Sequence, residues 1–335
     1  MKEKLFILGN GVDWCEKSLE KLVRYENVIM INKKIPVEGS LKKMIAKVFF
    51  SNRFNLKEKI SHDFLFSDVF KSINEFSKGK KINILIFDHN KFGSDYKFIS
   101  KLKSIPNVNK VIYIFTNIVK YTAANEVGYL DKLNDWYDVV FAFDPEDARK
   151  YHFSYSPLIY DADPTYKRDE MECNENLVFY VGQAKDRLPG LLSCYEKLKS
   201  LGISTDFHIA NVAEEDIKYP DKIVYNRFMT YDECVNSIQK ATCLIDIIQG
   251  ESKGLTIKTC EAVCYNKKLI TTNKHVAKYP FYDPRYIKIV NSPDDIDESF
   301  FFENRDVHYS ENGRNYFSAD EFLKRLGEVL DRKKD

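Results

Sequence analysis

Short apolar segments alternate with amphipathic segments along most of this 335-residue sequence. The apolar segments have the composition of buried strands, and the segments between them have the spacing of helices that cover a sheet. The predicted strands are Lys4–Leu8, Val28–Ile31, Ile82–Phe87, Val111–Phe115, Val139–Phe143, Leu177–Val181, Phe207–Ala210, Ile223–Tyr225, Cys243–Ile248, Leu269–Thr272 and Tyr286–Val290. Strands that alternate with helices form mostly parallel sheets with right-handed crossovers. The sequence therefore predicts an α/β protein with doubly wound sheets.

Two blocks of this pattern indicate two domains, and the chain is long enough for both. The periodicity is lost before Leu177, in a stretch that contains Pro157 and Pro164. We therefore predict a first domain over residues 1–160, a linker over residues 161–176 and a second domain over residues 177–316. A C-terminal helix is predicted over residues 317–335.

The composition excludes several classes of protein. The formal net charge is +1, so no overall basic field favours nucleic acid as a partner. The seven cysteines form no CxxC pair, and we expect buried, reduced thiols rather than zinc ligands. The sequence begins MKEKLFILGN, without the layout of a signal peptide, and no apolar run approaches about 18 residues. We expect a cytoplasmic protein with at most a peripheral hold on a membrane.

A glycine-bracketed loop follows the predicted strand Cys243–Ile248. Gly250 and Gly254 bracket the loop, and Leu255 leads into a helix that is predicted to begin near Thr256. Such a loop directs backbone N–H groups and the positive end of a helix dipole toward the carboxyl edge of the sheet. In open α/β sheets this edge is where ligands bind. The stretch is therefore the first candidate for a binding site.

Charged residues near this loop suit a nucleotide sugar. Lys258 and Glu261 are three residues apart, so they share one face of the predicted helix. A cation beside a helix N-terminus suits a diphosphate, and a carboxylate one turn further suits a ribose diol. Lys185 and Arg187 come just past Gly182, and a doubly wound strand order would make their loop face the glycine-bracketed loop. Either cation could neutralise a departing diphosphate.

These segments also resemble a known family. GLTIKTCEA (254–262) followed by KKLITTN (267–273) resembles the donor-site signature of bacterial GT-B glycosyltransferases that build capsule, O-antigen or lipopolysaccharide core. FAFDPEDARKYHFSYSPLIY (141–160) is similar to the end of the N-terminal domain in the same proteins, and VGQAKDRL (181–188) extends the match. In the retaining members two glutamates bracket seven residues, whereas here Glu251 and Glu261 bracket nine.

The resemblance implies two Rossmann-like domains that face each other across a cleft. It implies transfer of a sugar from a nucleoside diphosphate (or monophosphate) donor to a saccharide or lipid-linked acceptor in the synthesis of bacterial surface polysaccharide. In this family a C-terminal helix crosses back onto the first domain, and the predicted final helix could do the same. Two alternatives remain open, a nucleotide-sugar epimerase of the same architecture and a non-catalytic nucleotide-sugar-binding protein.

The first domain supplies the candidates for catalysis. An inverting transferase needs a general base near the acceptor hydroxyl, whereas a retaining enzyme needs no such base. Asp88, His89 and Asp13 lie at the ends of predicted strands, and we rank them in that order. Both stereochemical outcomes stay open at this point.

Gly9 and Gly11 follow the first predicted strand in the segment GNGVDW. This segment does not complete a dinucleotide fingerprint, because Trp14 replaces the third glycine and the second strand ends in Asn32 rather than an acidic residue. We expect a tight turn at which an acceptor or donor sugar, rather than NAD, approaches the backbone.

No metal or other cofactor is expected. Asp161–Ala162–Asp163 has the spacing of a metal-binding DxD motif, but it lies in the predicted linker and not at a strand end beside the glycine-bracketed loop. A helix dipole together with Arg and Lys side chains is the metal-free way to stabilise the leaving group.

The segment Lys33–Lys59 is strongly basic, with eight Lys or Arg residues against two Glu. On a helix, Leu41, Met44, Ile45 and Val48 would line one face while lysines lie elsewhere. This pattern predicts contact with an anionic membrane surface. The alternative is an ordinary helix whose apolar face packs on the core.

Overall fold

Two parallel β-sheets, each with six strands among the described residues, form the framework of the protein. The computed structural model describes residues 4–51, 63–120, 130–162, 176–250 and 252–332. The chain divides into two units, and each contains one sheet. Unit 1 consists of Met1–Ile159 and Ala319–Asp335, and unit 2 consists of Tyr160–Ser318.

The strands of unit 1 are mostly apolar, and Ile82–Phe87 and Val139–Ala142 are buried along their whole length, as expected for the centre of a parallel sheet covered on both faces. They are β1 (Lys4–Leu8), β2 (Val28–Ile31), β3 (Ile82–Phe87), β4 (Val108–Phe115), β5 (Val139–Ala142) and β6 (Ser154–Tyr155). Their order in the sheet is β2-β1-β3-β4-β5-β6. The chain therefore changes direction across the sheet between β1 and β3, which is a topological switch point.

The helices of unit 1 begin at side-chain caps in several places. Asp95 accepts hydrogen bonds from the first turn of its helix, and Asp144 does the same before Pro145. These helices are α1 (Asp13–Ser18), α2 (Glu20–Val23), α3 (Ser40–Phe49), α4 (Ser67–Ser77), α5 (Tyr96–Ser104), α6 (Leu133–Trp136) and α7 (Pro145–Lys150). Short 3₁₀ turns lie at Asp63–Phe66, Lys91–Ser94 and Leu130–Lys132.

Unit 2 has the strand order of a Rossmann domain. Its strands are β7 (Leu177–Gln183), β8 (Ser204–Ala210), β9 (Val224–Tyr225), β10 (Cys243–Asp246), β11 (Lys268–Thr271) and β12 (Ile287–Ile289). Their order is β9-β8-β7-β10-β11-β12, and every pair is parallel. The switch point lies between β7 and β10, where such folds bind their ligands.

The helices of unit 2 cover both faces of its sheet. They are α8 (Leu188–Ser200), α9 (Tyr231–Lys240), α10 (Ile257–Cys264), α11 (Ser299–Phe302) and α12 (Glu311–Asn315). The 3₁₀ turns are Lys185–Arg187, Glu214–Asp216, Lys274–Lys278 and Pro293–Asp295. A capping box between Thr230 and Glu233 begins α9, and Gly202, with φ of +70°, follows the end of α8.

The last helix, α13 (Ala319–Arg332), belongs to unit 1 although it follows unit 2 in sequence. Its apolar stripe of Phe322, Leu326 and Leu330 is buried against one face of the first sheet. The rings of Phe322 and Phe141 have centroids 5.9 Å apart. The helix therefore completes the core on that side of unit 1.

Several elements differ from the sequence-based prediction. The sequence also predicts a single helix over about Cys15 to Tyr25, but this helix is interrupted at Leu19, which lies outside the helical region with φ −103° and ψ 6°. Ser154–Tyr155 pairs with β5 and extends unit 1 into a stretch without visible periodicity, because two residues are too few to show one. The sequence also predicts a helix over Glu126 to Trp136; residues 126–129 lie outside the described residues, and α6 forms the end of that segment.

Across the ranges that the structure describes, no helix combines the length and the apolar character needed to span a membrane.

Candidate functional site

The loops that follow β7 and β10 touch each other at the switch point of unit 2. The ammonium group of Lys185 donates a hydrogen bond to Oε1 of Gln249 over 2.6 Å. The backbone N–H of Gly250 donates to Oδ2 of Asp186 over 3.3 Å. An acidic side chain thus lies at an N–H group that the sequence analysis assigned to a diphosphate. The doubly wound strand order predicts that the loop with Gly182 and Lys185 meets the loop with Gly250. The structure places these two loops in contact.

Arg187 links the same two loops through its guanidinium group. It donates to the carbonyl oxygen of Ile247 over 3.2 Å and to that of Gln183. Its Nε is buried and finds no hydrogen-bond partner among the described residues, and the same holds for the hydroxyl of Tyr180. That hydroxyl lies 2.8 Å from the place where a Cβ on Gly182 would stand. Glycine is therefore required at this strand end by the close approach of the tyrosine.

The buried carboxylate of Asp246, at the end of β10, holds the beginning of α10 in place. Its Oδ2 accepts hydrogen bonds from the hydroxyls of Thr256 (2.9 Å), Thr259 (3.2 Å) and Thr271 (3.3 Å). Thr256 is also the N-cap of α10 and accepts from the backbone N–H of Thr259. Burial raises the pKa of Asp246, and the three hydroxyls oppose that shift. The helix N-terminus is thus fixed to the sheet edge.

Further hydrogen bonds fix the remainder of the loop. The side-chain amide of Asn273 donates to the carbonyl oxygen of Gly254 over 2.9 Å. Gly250 has φ of +54°, a left-handed conformation that glycine adopts without strain. Leu255 is completely buried and anchors the loop before the helix. Glu251 lies outside the described residues.

Lys258 and Glu261 form an ion pair within α10. Their Nζ and Oε2 atoms are 2.7 Å apart, and the side chains are only 10% and 1% exposed. Oε1 of Glu261 also accepts from the hydroxyl of Tyr231 over 3.2 Å, and the Tyr231 hydroxyl in turn accepts from the hydroxyl of Tyr160, 2.9 Å away. Burial raises the pKa values of both tyrosines well above their ordinary values, so both stay protonated. Glu261 is therefore the acceptor at the end of a buried network.

The switch point of unit 1 brings together the loops after β1, β2 and β3. The backbone N–H of Gly11 donates to Oδ1 of Asn32 over 2.9 Å, and the side-chain amide of Asn90 donates to the carbonyl oxygen of Gly9 over 2.7 Å. A Cβ on Gly9 would lie 2.3 Å from Oδ1 of Asn32, and one on Gly11 would lie 2.6 Å from the backbone nitrogen of Lys34. The groups that approach these glycines closely are therefore Asn32 and Lys34 of the same chain.

The three predicted candidates for catalysis differ in accessibility. Asp88 is completely buried and accepts a hydrogen bond from the hydroxyl of Thr116. Burial raises the pKa of Asp88, against the opposing effects of His89 and Thr116. His89 is exposed, has φ of 64°, and places its Nε2 3.8 Å from Oδ2 of Asp88. Asp13 is exposed at the start of α1.

The sequence analysis missed several residues of these networks, among them Asp186, Asp246, Tyr231 and Tyr160. Two carried a readable signal, since Asp246 is the one acidic residue in an apolar strand and Asp186 separates the two cations after β7. The tyrosines gave none, because their partners are distant in sequence. The DxD segment is only partly described, as Asp163 lies outside the described residues.

Comparisons with known proteins show the fold. No family model and no curated protein matches the sequence significantly. Among solved structures, a glycosyltransferase from Rickettsia africae ESF-5 is similar over 100% of both chains, with a TM-score of 0.51 and 13% identity. Trehalose-6-phosphate synthase gives a TM-score of 0.47 and 13% identity over 99% of this chain and 95% of that one. TarM gives 0.48 and 10% identity over 78% of this chain, which spans only 57% of TarM.

At these identities the likeness concerns architecture. Two observations support the same fold. The chain forms two parallel sheets with alternating helices, and it is similar over its whole length to the structure of a glycosyltransferase. The chain has the two-domain, Rossmann-like GT-B fold.

Proposed function

We propose that this protein is a metal-independent glycosyltransferase that moves a sugar from a nucleoside diphosphate (or monophosphate) donor to a saccharide or lipid-linked acceptor. The observation that carries the proposal is the contact between the loops after β7 and β10. It gathers Lys185, Arg187 and the N-terminus of α10 at the ligand-binding edge of unit 2. Two cations and a helix dipole at one point favour a polyanion such as a diphosphate.

The leaving group of sugar transfer is the nucleotide, so its negative charge grows in the transition state. Arg187 and Lys185 would stabilise that charge, as would the backbone N–H groups of the loop Gly250–Gly254 once the Gly250 N–H exchanges the Asp186 carboxylate for a phosphate oxygen. A guanidinium fork matches two phosphate oxygens, whereas an ammonium group acts as a point charge. We assign the bidentate contact to Arg187 for this reason.

Lys258 and Glu261 would each bind a different part of the donor. In the proposal a phosphate oxygen takes part of the Lys258 charge, and the ribose hydroxyls donate to Glu261. Before the donor arrives, the ion pair holds the Glu261 carboxylate in position through the ammonium group 2.7 Å away. The Tyr231 hydroxyl holds the orientation of that carboxylate.

Unit 1 would supply the acceptor side. An inverting reaction would take its general base from Asp88, His89 or Asp13, and a retaining reaction would use none of them. Gly9 and Gly11 shape the edge of the unit 1 sheet, beside which we place a sugar. We assign the protein to the cytoplasm and to the synthesis of bacterial surface polysaccharide, on the resemblance of the donor-site motifs.

Two measurements test the proposal. Thermal unfolding against a panel of nucleoside diphosphates should show stabilisation by at least one of them, and Arg187→Ala should reduce it strongly at the same ligand concentration. A matched variant, Lys218→Ala, removes an exposed cation of unit 2 far from these loops in sequence and should leave the shift intact. Incubation of the corresponding nucleotide sugar with an acceptor mixture should release free nucleotide and form a glycoside. Epimerised donor as the product, or binding without any turnover, would contradict the proposal.

A further inference from the structure

The helix α3 turns most of its apolar side chains away from the core of unit 1. Leu41, Met44, Ile45 and Val48 are 66%, 58%, 39% and 47% exposed. Their spacing places them on a single stripe, which we call the α3 face. The helix has the periodicity of a core-facing element, yet the structure leaves this stripe uncovered by the described residues.

The orientation of α3 is fixed from its other side. Ala46 and Phe49 are buried in the core of unit 1, and Phe50, just after the helix, packs on Phe92 with ring centroids 5.4 Å apart. The ammonium group of Lys42 pairs with Asp68 of α4 over 2.8 Å. Rotation of α3 to bury the α3 face would expose two phenylalanines and break this pair. The exposure is therefore a property of the packed structure.

Cationic side chains border the α3 face. Lys43 and Lys47 are exposed on the same helix, on the side of the stripe opposite to the buried one. The patch thus combines an aliphatic stripe with a cationic border.

We propose that the α3 face docks on an anionic lipid bilayer, with α3 lying in the plane of the interface. Aliphatic side chains on such a helix enter the boundary between headgroups and acyl chains, while lysines at the border meet anionic headgroups. The patch has both components in the required arrangement. This inference concerns unit 1 alone and does not depend on the proposed donor site.

Charge distinguishes a bilayer from the other occupants of an apolar face. A second copy of the chain, docked through the same stripe, would bring Lys43 and Lys47 toward the lysines of its partner. An anionic bilayer instead offers opposite charge across the whole border. The complementarity therefore favours lipid.

Co-sedimentation with vesicles tests the proposal with the full chain. The protein should bind vesicles that contain phosphatidylglycerol and phosphatidylcholine, and should bind phosphatidylcholine vesicles far less. Binding should weaken as salt rises from about 0.1 M to about 1 M, because the screening length falls from about 10 Å to about 3 Å. Lys43→Gln/Lys47→Gln should lower the partition coefficient about 25-fold, taking about fivefold for each lysine near the surface.

The aliphatic component has its own variant. Met44→Gln/Val48→Ser should lower partitioning by about tenfold or more while leaving the salt dependence in place. The control Lys218→Gln/Lys222→Gln removes the same charge from exposed positions of unit 2 and should bind like the parent. The far-ultraviolet circular dichroism spectrum and the midpoint of thermal unfolding, each compared with the parent, report correct folding of every variant.

Three results would overturn the proposal. They are equal binding to both kinds of vesicle, binding that survives both double variants, and no binding to either kind. A concentration-dependent dimer that Met44→Gln/Val48→Ser dissociates, without vesicle binding, would assign the α3 face to a second copy of the chain.

Discussion

The ammonium group of Lys258 and the carboxylate of Glu261 are 2.7 Å apart, and both side chains are almost fully withdrawn from solvent. A buried ion pair contributes little net stability relative to an apolar pair, but the loss of one partner leaves an uncompensated charge. These two residues therefore bind each other in addition to any role toward a donor. We therefore expect substitutions at either position to change the stability of unit 2 as well as the binding of the proposed donor.

We predict that Lys258→Met lowers the stability of unit 2 by about 3 kcal/mol, because it leaves the Glu261 carboxylate buried without a counter-charge. Lys258→Met/Glu261→Gln should recover most of that loss. Hydrogen exchange of peptides from α10 and β10 gives the local free energy of opening for each variant. Equal destabilisation by the single and the double variant would show that the pair is not coupled.

For Arg187→Ala we predict a fall in both turnover and nucleoside diphosphate affinity, each by about 10- to 100-fold, since a charge-assisted hydrogen bond contributes about 1.5–3 kcal/mol. Arg187→Lys should recover only part of it, because an ammonium group cannot donate to Ile247 and to a phosphate in a fork. Initial rates beside calorimetry make the comparison.

Glu261→Gln should behave differently from Arg187→Ala. The ribose does not change in the reaction, so this variant should weaken the binding of donor and of free nucleoside diphosphate alike while kcat changes little. Parent-like binding and turnover in both variants would place the donor site elsewhere.

Sugar transfer should proceed at the same rate in EDTA as in added manganese or magnesium. Arg187, Lys185 and the N-terminus of α10 would neutralise the diphosphate in place of a divalent ion. The measurement is the initial rate after exhaustive treatment with EDTA. A rate that collapses there and returns with either metal would contradict metal independence.

Asp88 should make the stability of unit 1 depend on pH. Burial raises its pKa above the ordinary value of 3.8, so the folded protein holds this proton more tightly than the unfolded chain. The free energy of unfolding therefore falls as pH rises from about 4 through the folded-state pKa, by about 1.4 kcal/mol for each unit of difference between the two pKa values. Asp88→Asn lacks this contribution.

Urea unfolding of the parent and of Asp88→Asn, from pH 4 to pH 8, measures the difference. Both tryptophans of the chain, Trp14 and Trp136, belong to unit 1, so their fluorescence reports that unit. The variant should gain stability relative to the parent as pH rises and then keep a constant advantage. A difference that does not change with pH would mean that Asp88 ionises normally.

Sequence patterns predict the framework of this protein better than its side-chain networks. The strand Val28–Ile31 has the predicted ends, and the meeting of the loops after β7 and β10 agrees with the predicted strand order. Buried parallel strands can be recognised as continuous apolar runs in the sequence. Because the connections between parallel strands are right-handed, few topologies are then possible. For these reasons the fold can be predicted from the sequence.

The hydrogen-bond network around Glu261 cannot be predicted from the sequence in the same way. Tyr231 and Tyr160, which meet at 2.9 Å, are separated by 71 residues, and no local pattern encodes such a pair. The α3 face shows a second limit. The spacing of Leu41, Met44, Ile45 and Val48 predicts a stripe, but only the packing of Ala46 and Phe49 shows that the stripe faces outward.

The position of α13 has a consequence for the order in which the chain folds during synthesis. Unit 2 is continuous from Tyr160 to Ser318, whereas the core of unit 1 needs Phe322, Leu326 and Leu330. The ribosome synthesises these residues last. Until then one face of the unit 1 sheet stays uncovered, whereas unit 2 can already fold. That interval exposes the apolar strands β1, β3 and β4, which makes unit 1 the part of the nascent protein most in need of protection by a chaperone.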